Sequence, residues 1–283
     1  MGNPFISIVI LTLGDAPKVV QCLKHQTFQD FEIIFAREKG IVNAMNKALI
    51  RAKGEIFVRL DDDVEMDCYW LERLTLPFVN PVVAGVTGPT FVPKERRVNR
   101  DSIRIWENPS RFLRWLTGCD GFNPAGIYKC GMVSYDSNYE ERFLKKDTAY
   151  KGSAGLAIDV WTIQKESFEP DHLEGTNWAM RTELIRKVGG FDHKFDGVAE
   201  WYDTDVEQKI KKLGYELRYE PKAYLWHLLD FTEHYNDRFN GLGRIKNWLR
   251  FHVRHSRFHW KMVVFLIVWC LYFLQARFTC KSR

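Results

Sequence analysis

The sequence predicts an α/β protein in which a mostly parallel central sheet is covered by helices on both faces. Three observations carry that expectation. Strand-length apolar runs alternate with helical-period segments over residues 6–60, the third run passes directly into Asp61, Asp62 and Asp63, and 46 % of the 283 residues are apolar, enough to close a large core. Ligands of such sheets bind beyond the carboxyl ends of the strands, so the three aspartates stand where a binding crevice is expected.

ISIVILTL (6–13) is predicted as a buried strand, and GDAPKVVQCLKHQ (14–26) follows it with helical spacing behind a Gly-Asp-Ala-Pro opening. FEIIFA (31–36) is the second strand. KGIVNAMNKALIRAKG (39–54) places Val42, Met45, Ala48, Leu49 and Ala52 on one helical face and is expected to stop at Gly54, and EIFVRL (55–60) is the third strand. From about Lys94 to Asp171 periodicity is poor, as in an irregular excursion over the sheet, and part of an acceptor site is expected there. EGTNWAMRTELIRKVGGFDHKF (174–195) predicts a helix around 180–188 ending at Gly189-Gly190. DTDVEQKIKKLGY (203–215) predicts a second amphipathic helix, and ELRYEPKAYLWHL (216–228) a short strand pair with a Pro turn.

Two regions follow: a catalytic domain over 1–230 that includes the 94–171 insertion, and a C-terminal segment over 231–283. In the latter, Arg244, Lys246, Arg250, Arg254, Arg257 and Lys261 interleave with Trp248, Leu249, Phe251, Phe258 and Trp260. Such a basic aromatic stretch suits an anionic membrane interface. The uncharged run MVVFLIVWCLYFL (262–274) rises only about 20 Å as a helix against a hydrocarbon core of about 30 Å, so a re-entrant or interfacial segment is expected rather than a span. The catalytic signatures end by His227, so the tail is expected to anchor the protein and take little part in chemistry. The net charge of +5 does not imply nucleic-acid binding, because the cations concentrate beside that apolar run. Six cysteines without a C-x-x-C pair or zinc spacing read as reduced thiols. Residues 5–11 lack a basic leader and a cleavage site, which favours a strand over a signal peptide. The expected location is the cytoplasmic face of a membrane, monotopic or C-terminally anchored.

Three adjacent carboxylates at the end of a buried strand repel one another and are tolerated when a divalent cation neutralises them, so Asp61 and Asp63 suggest a Mn²⁺ or Mg²⁺ site that also holds a diphosphate. With ISIVILTLGD, KGIVNAMNKALIRAKGE, RLDDDV, EGTNWAMRTELIRKVGGFD and AEWYDTDVEQKIKKLGY in this order, the chain resembles the inverting glycosyltransferases of family 2, over roughly residues 5–93 and 172–228. The resemblance implies the GT-A fold and a nucleotide-sugar donor, and with the basic aromatic tail the acceptor is expected to be a lipid-linked or membrane-surface glycan. It implies that Asp61 faces the donor ribose and shares the metal with Asp63, and that Asp203 removes the acceptor proton, a helix N-cap being the alternative. Thr12 and Asp62 fall on donor-binding positions. Glu38 and Lys39 follow the second strand, where the family commonly has an Asp against the nucleobase. His227 is expected as a third metal ligand or as a packed, hydrogen-bonded residue. Gly175, Thr176 and Asn177 occupy the acceptor-side segment or a turn, and Trp201 stacks on a sugar or belongs to the core.

No Q-x-x-R-W follows Asp203, which favours addition of a single sugar over processive synthesis. A polyprenyl-phosphate monosaccharide synthase of the same fold is the neighbouring alternative. A nucleotidyltransferase would need a glycine-rich basic loop after the first strand, which LTLGDAP does not provide, and a non-catalytic membrane adaptor leaves the DDDV and DTD carboxylates unexplained.

Overall fold

The computed structural model describes residues 4–91, 133–134, 166–170, 172–197, 199–228, 241–255 and 267. Strands β1 (Ile6–Leu11), β2 (Phe31–Ala36) and β3 (Ile56–Asp61), with helices α1 (Pro17–Lys24) and α2 (Ile41–Arg51) between them, follow the predicted alternation. They are followed by β4 (Val64–Met66), α3 (Trp70–Thr75), β5 (Val83–Thr87), β6 (Thr90–Phe91) and β7 (Val133–Ser134). The remaining elements are β8 (Trp178–Arg181), α4 (Thr182–Lys187), α5 (Tyr202–Lys211), β9 (Glu216–Tyr219), β10 (Leu225–His227) and α6 (Gly241–His255).

The central sheet runs β2, β1, β3, β8, β5, β9, and β8 alone is antiparallel to its neighbours. Side chains alternate between two packed faces. Val9, Phe57, Met180 and Leu217 meet α2, α4 and α5 on one face, while Ile8, Ile10, Val58, Leu60 and Val86 meet α1 and α3 on the other. Leu11 lies level with both Ala36 and Asp61, so the first three strands present their carboxyl ends along one edge. Because β8 is antiparallel, with Trp178 opposite Arg59, it is the turn before β8 that reaches this edge. A second, four-stranded sheet runs β4, β10, β6, β7.

Four local expectations are corrected. The segment 178–181 is a strand, although Ala, Met and Arg favour helices, because it fills the slot between β3 and β5 and buries both faces; the helix starts only at Thr182. Helix α2 ends at Arg51, with Ala52 already extended. Gly54 is needed for close packing instead, since a Cβ there would stand 2.4 Å from the Ser7 nitrogen. The strands at 216–219 and 225–227 exist, with Pro221 in the turn between them, but they do not pair. β9 joins β5 in the central sheet, and β10 joins β4 and β6 in the second.

The fourth correction concerns α6, which falls in the C-terminal segment set apart from the catalytic domain but packs on that domain's core. Phe251 is fully buried and belongs to the core shared with α2, α4 and α5. Arg254 pairs with Asp192 and Asp205, and the His255 Nε2 lies 2.8 Å from Asp205 Oδ1. Lys246, Leu249 and Val253 face outward. Among the described residues no helix is long and apolar enough to cross a membrane, and the 262–274 run lies outside them except for Ile267. Most of the 94–171 excursion also lies outside; of its described parts, Val133–Ser134 pairs with β6 and Phe168 bridges to Tyr219.

The Asp205 cluster predicts an acid-sensitive dock for α6. Burial pushes the Asp205 carboxyl up, but the His255 ring, Lys209 and Arg254 outweigh burial and hold it at about 2. A depressed carboxylate contributes stability that is complete above its ordinary value of 3.8 and is lost as pH falls through about 2. The shift corresponds to on the order of 2 kcal/mol. Thermal melts from neutral to acid pH should show Asp205→Asn less stable than the wild type at neutral pH, with the gap closing toward pH 2. Parallel curves would remove Asp205 from the dock.

Candidate active site

The carboxylates after β3 are arranged by short pairings that the sequence pattern does not reveal. β10 pairs with β4 so that His227 stands opposite Val64, and the Leu228 N–H donates to the Asp63 carbonyl at 2.8 Å. The turn before β10 is seated by Gly88, where a Cβ would stand 1.9 Å from the Ala223 carbonyl oxygen. These contacts set His227 Nε2 3.1 Å from Asp63 Oδ1 and 3.8 Å from Asp61 Oδ2. One ligand atom each from Asp61, Asp63 and His227 lies within 4.8 Å of the others.

The chemistry of this donor set fits a divalent cation. Two carboxylate oxygens and an imidazole nitrogen converge beside further negative charge from Asp62 and Glu174. Burial opposes a charged ring at His227, but Asp63 and then the Asp61 charge outweigh it, so the imidazole holds a proton more tightly than usual. A divalent cation would take that proton's place. Asp62 turns to the neighbouring strand end: burial raises its carboxyl, the Thr12 hydroxyl hydrogen-bonds it and opposes the rise, and the Asp63 and Asp61 charges add to it. The Thr12 hydroxyl also accepts the Gly14 N–H at 2.9 Å, closing the loop beyond β1.

Asp203 lies in the first turn of α5, only 8 % exposed and close enough to Arg59 to act on its charge. It is not the helix N-cap, which is Trp201, so the capping alternative is corrected. Its Oδ1 accepts the Thr204 N–H at 2.9 Å, and a Cβ on Gly175 would stand 3.6 Å from its Oδ2. Burial raises the Asp203 carboxyl above the ordinary range, against the Thr204 N–H and the charges of Arg59 and His172. A carboxylate tuned upward is a stronger base than one in water.

Arg59 ties the two halves together. Its guanidinium donates to Asp61 Oδ1 at 2.6 Å and to the Gly175 carbonyl, and Asp203 also acts on its charge. Burial disfavours that charge, but Asp61, Tyr202, Glu174 and Asp203 hold its pKa above the ordinary value, so the guanidinium stays charged. Thr176 Oγ1 donates to Asp61 Oδ2 at 3.2 Å, completing a bridge from cation group to base through one short turn.

Gly175 and Thr176 therefore line the space between the groups. Asn177 instead serves the scaffold: fully buried, it accepts from Trp70 Nε1 at 3.1 Å and donates to the Pro89 and Ala223 carbonyls at 3.1 and 2.8 Å. Trp201 is partly buried and stacks on Phe251 with ring centroids 4.7 Å apart. Glu38 and Lys39 follow β2 at the same sheet edge as Asp61; Glu38 lies 3.8 Å from Arg51 and the Lys39 carbonyl accepts the Asn43 amide.

Three side chains of this region escaped the sequence reading. Arg59 left a usable signal, since a cation inside a buried strand two residues before Asp61 shares its face and needs a partner. Glu174 opens the EGTN segment; it accepts from Thr90 Oγ1 at 2.6 Å and the Thr176 N–H at 2.9 Å, and burial, opposed by those bonds and by His227 and Arg59, raises its carboxyl to about 7. Glu207 accepts the Leu173 N–H at 3.0 Å, and burial together with the Asp203 charge raises it well above normal. Neither glutamate carries a sequence signal, because what surrounds it is brought from distant segments.

The fold and site together define a class: an α/β protein with a group that could hold a cation at the carboxyl edge of its sheet and a buried carboxylate linked to it through Arg59 and the Gly175 turn. Residues 8–138 match the family model for Glycosyl transferase family 2. Over 54 residues the chain is 41 % identical to the Probable glycosyltransferase YdaM of Bacillus subtilis (strain 168), a match spanning 19 % of this chain and 12 % of that protein. The structure of GalNAc-T7 with UDP, GalNAc and Mn²⁺ superposes with a TM-score of 0.52 at 15 % identity, covering 88 % of this chain and 47 % of that one. A mannosyltransferase, PcManGT from Pyrobaculum calidifontis in complex with GDP-Man and Mn²⁺, gives a TM-score of 0.49 at 13 % identity, over 93 % and 68 % of the two chains. At such identity the GalNAc-T7 likeness speaks to the fold alone, a mixed α/β arrangement around a central sheet that agrees with GT-A.

Proposed function

We propose that this chain is an inverting glycosyltransferase that moves a single sugar from a nucleoside-diphosphate sugar to a lipid-linked acceptor at a membrane surface. One observation carries the reading: the Asp61, Asp63 and His227 group and the buried Asp203 meet the same Gly175–Thr176 turn, with Arg59 joining the two. A displacement at an anomeric carbon needs a cation site for the departing diphosphate on one side and a proton acceptor on the other. A bound divalent cation would supply Lewis-acid stabilisation of the charge that develops on the leaving diphosphate. The family match and the Mn²⁺ and UDP of the GalNAc-T7 structure support the same assignment.

In this reading Asp203 takes the acceptor hydroxyl proton as the new bond to the anomeric carbon forms and the bond to the diphosphate breaks, which inverts the configuration. Arg59 holds Asp61 in register, Thr12 and Asp62 border the donor, Glu38 and Lys39 border its base, and Gly175 and Thr176 border the acceptor. Mn²⁺ is the favoured ion, because two carboxylates with one imidazole form a donor set of mixed character. A cytoplasmic membrane face is supported by the basic aromatic tail and by the outward Lys246, Leu249 and Val253 of α6.

A panel of nucleotide sugars, with and without Mn²⁺, tests the proposal by thermal stabilisation and by hydrolysis. One donor should raise the melting temperature in Mn²⁺ alone, by an amount that grows with the logarithm of its concentration. If no nucleotide sugar binds or reacts in either Mn²⁺ or Mg²⁺, the assignment fails.

A further inference from the structure

We propose that α6 is a positioning element for the base, with Phe251 clamping the Trp201 junction and Arg254 and His255 gripping Asp205, so that Asp203 between them is aimed at the acceptor. The inference rests on the reading of Asp203 as the base.

The approach to α5 is conformationally costly. Gly197, Ala199 and Trp201 have φ of 88°, 56° and 70°, and a left-handed aromatic residue persists only where its surroundings over-determine it. α6 supplies part of those surroundings. The Trp201 and Phe251 rings stack at 4.7 Å with an interplanar angle of 29°, and Phe251 in turn packs on the His255 ring at 4.8 Å. The Asn247 amide donates to the Phe195 carbonyl at 3.0 Å and to the Glu200 carbonyl at 3.4 Å, and the guanidinium of Arg250 donates to the Lys194 carbonyl.

Beyond the junction, His255 and Arg254 reach Asp205 Oδ1 at 2.8 and 3.2 Å. The Asp205 N–H closes the first turn of α5 on the Trp201 carbonyl at 3.0 Å. Thus α6 grips the residues two before and two after Asp203, and the polar and aromatic contacts described for it run to residues 192–212. Such an arrangement governs the aim of the base and leaves donor binding alone, and small misplacements of a reacting group are costly in rate.

The test is a kcat-against-binding split in the full chain. Turnover is read as nucleotide-sugar hydrolysis, and binding as the affinity for UDP and for GDP in Mn²⁺. Phe251→Leu keeps an apolar side chain in the core but removes the stacked ring; it should lower kcat about tenfold or more with nucleotide affinity unchanged, and Phe251→Tyr should restore most of the rate. Arg254→Gln, at a partly exposed position, is the second variant should Phe251→Leu fold poorly, and it should show the same split. Placed on Asp203→Asn, either change should cause no further loss. Wild-type kcat in folded Phe251→Leu and Arg254→Gln, or equal additional loss in the Asp203→Asn background, would overturn the positioning role. Wild-type turnover in Asp203→Asn alone would instead remove the base itself, so the two failures are distinguishable.

Discussion

Asp203→Asn should give a folded protein that binds nucleotide sugar with near wild-type affinity and turns over about 10²–10⁴-fold more slowly, the usual contribution of a positioned general base. The substitution keeps the acceptor atom for the Thr204 N–H and the shape of a site that is 8 % exposed, but it removes the lone pair that takes the proton. Asp203 is not the N-cap of α5 and Asn keeps the oxygen that accepts the Thr204 N–H, so only the modest first-turn charge effect is lost and melting temperature should change little. A pH profile adds a second reading. Turnover requires the ionised carboxylate, and burial raises its pKa, so the acid limb of kcat should lie above the ordinary carboxylate range and vanish in the variant. A product that retains the donor's anomeric configuration would overturn the single-displacement mechanism, whatever the rate of the variant.

The second large effect is expected at Asp63. Asp63→Asn should abolish Mn²⁺-dependent stabilisation by nucleotide sugar and nearly all transfer, while the apo protein melts close to the wild type. The fold should survive because β4 meets β10 through the backbone, including the bond from Leu228 to the Asp63 carbonyl, and Asn preserves side-chain size. Asp63 is a cleaner probe than Asp61, whose carboxylate also holds Arg59 and Thr176 and whose loss would leave a buried guanidinium without the carboxylate it pairs with. Chelation of the wild-type protein should reproduce the binding defect, and Mn²⁺ titration should reverse it in the wild type alone. Unaltered Mn²⁺ dependence in Asp63→Asn would move the cation site elsewhere.

Much of the fold and the outline of the site were legible in the chain. Hydrophobic period alone separated β1, α1, β2, α2 and β3, because each has the length and patterning of an element packed on one sheet. The DDDV run at the end of a buried strand suggested a cation site for an electrostatic reason that needs no partner, the mutual repulsion of adjacent carboxylates, and Asp61 and Asp63 do fall in a group that could hold one. Asp203 stood out through its place in EWYDTDV. What the chain could not state is which distant groups meet. Arg181 ends a strand built from helix-favouring residues because the slot between β3 and β5 outweighs local propensity. His227 comes within reach of Asp61 and Asp63, in a group that could hold a metal ion, because β10 leaves β9 for the second sheet and pairs with β4. Asn177, beside Thr176 in sequence, turns inward to bond three scaffold groups. The largest change is α6: its basic and aromatic residues suggested a membrane surface by composition, yet Phe251, Arg254 and His255 are spent on the core and on Asp205. Period and local charge are properties of neighbours along the chain and are read there. Pairing partners, burial and the tuning of a carboxylate arise from residues far apart in sequence, and only the tertiary structure brings them within reach.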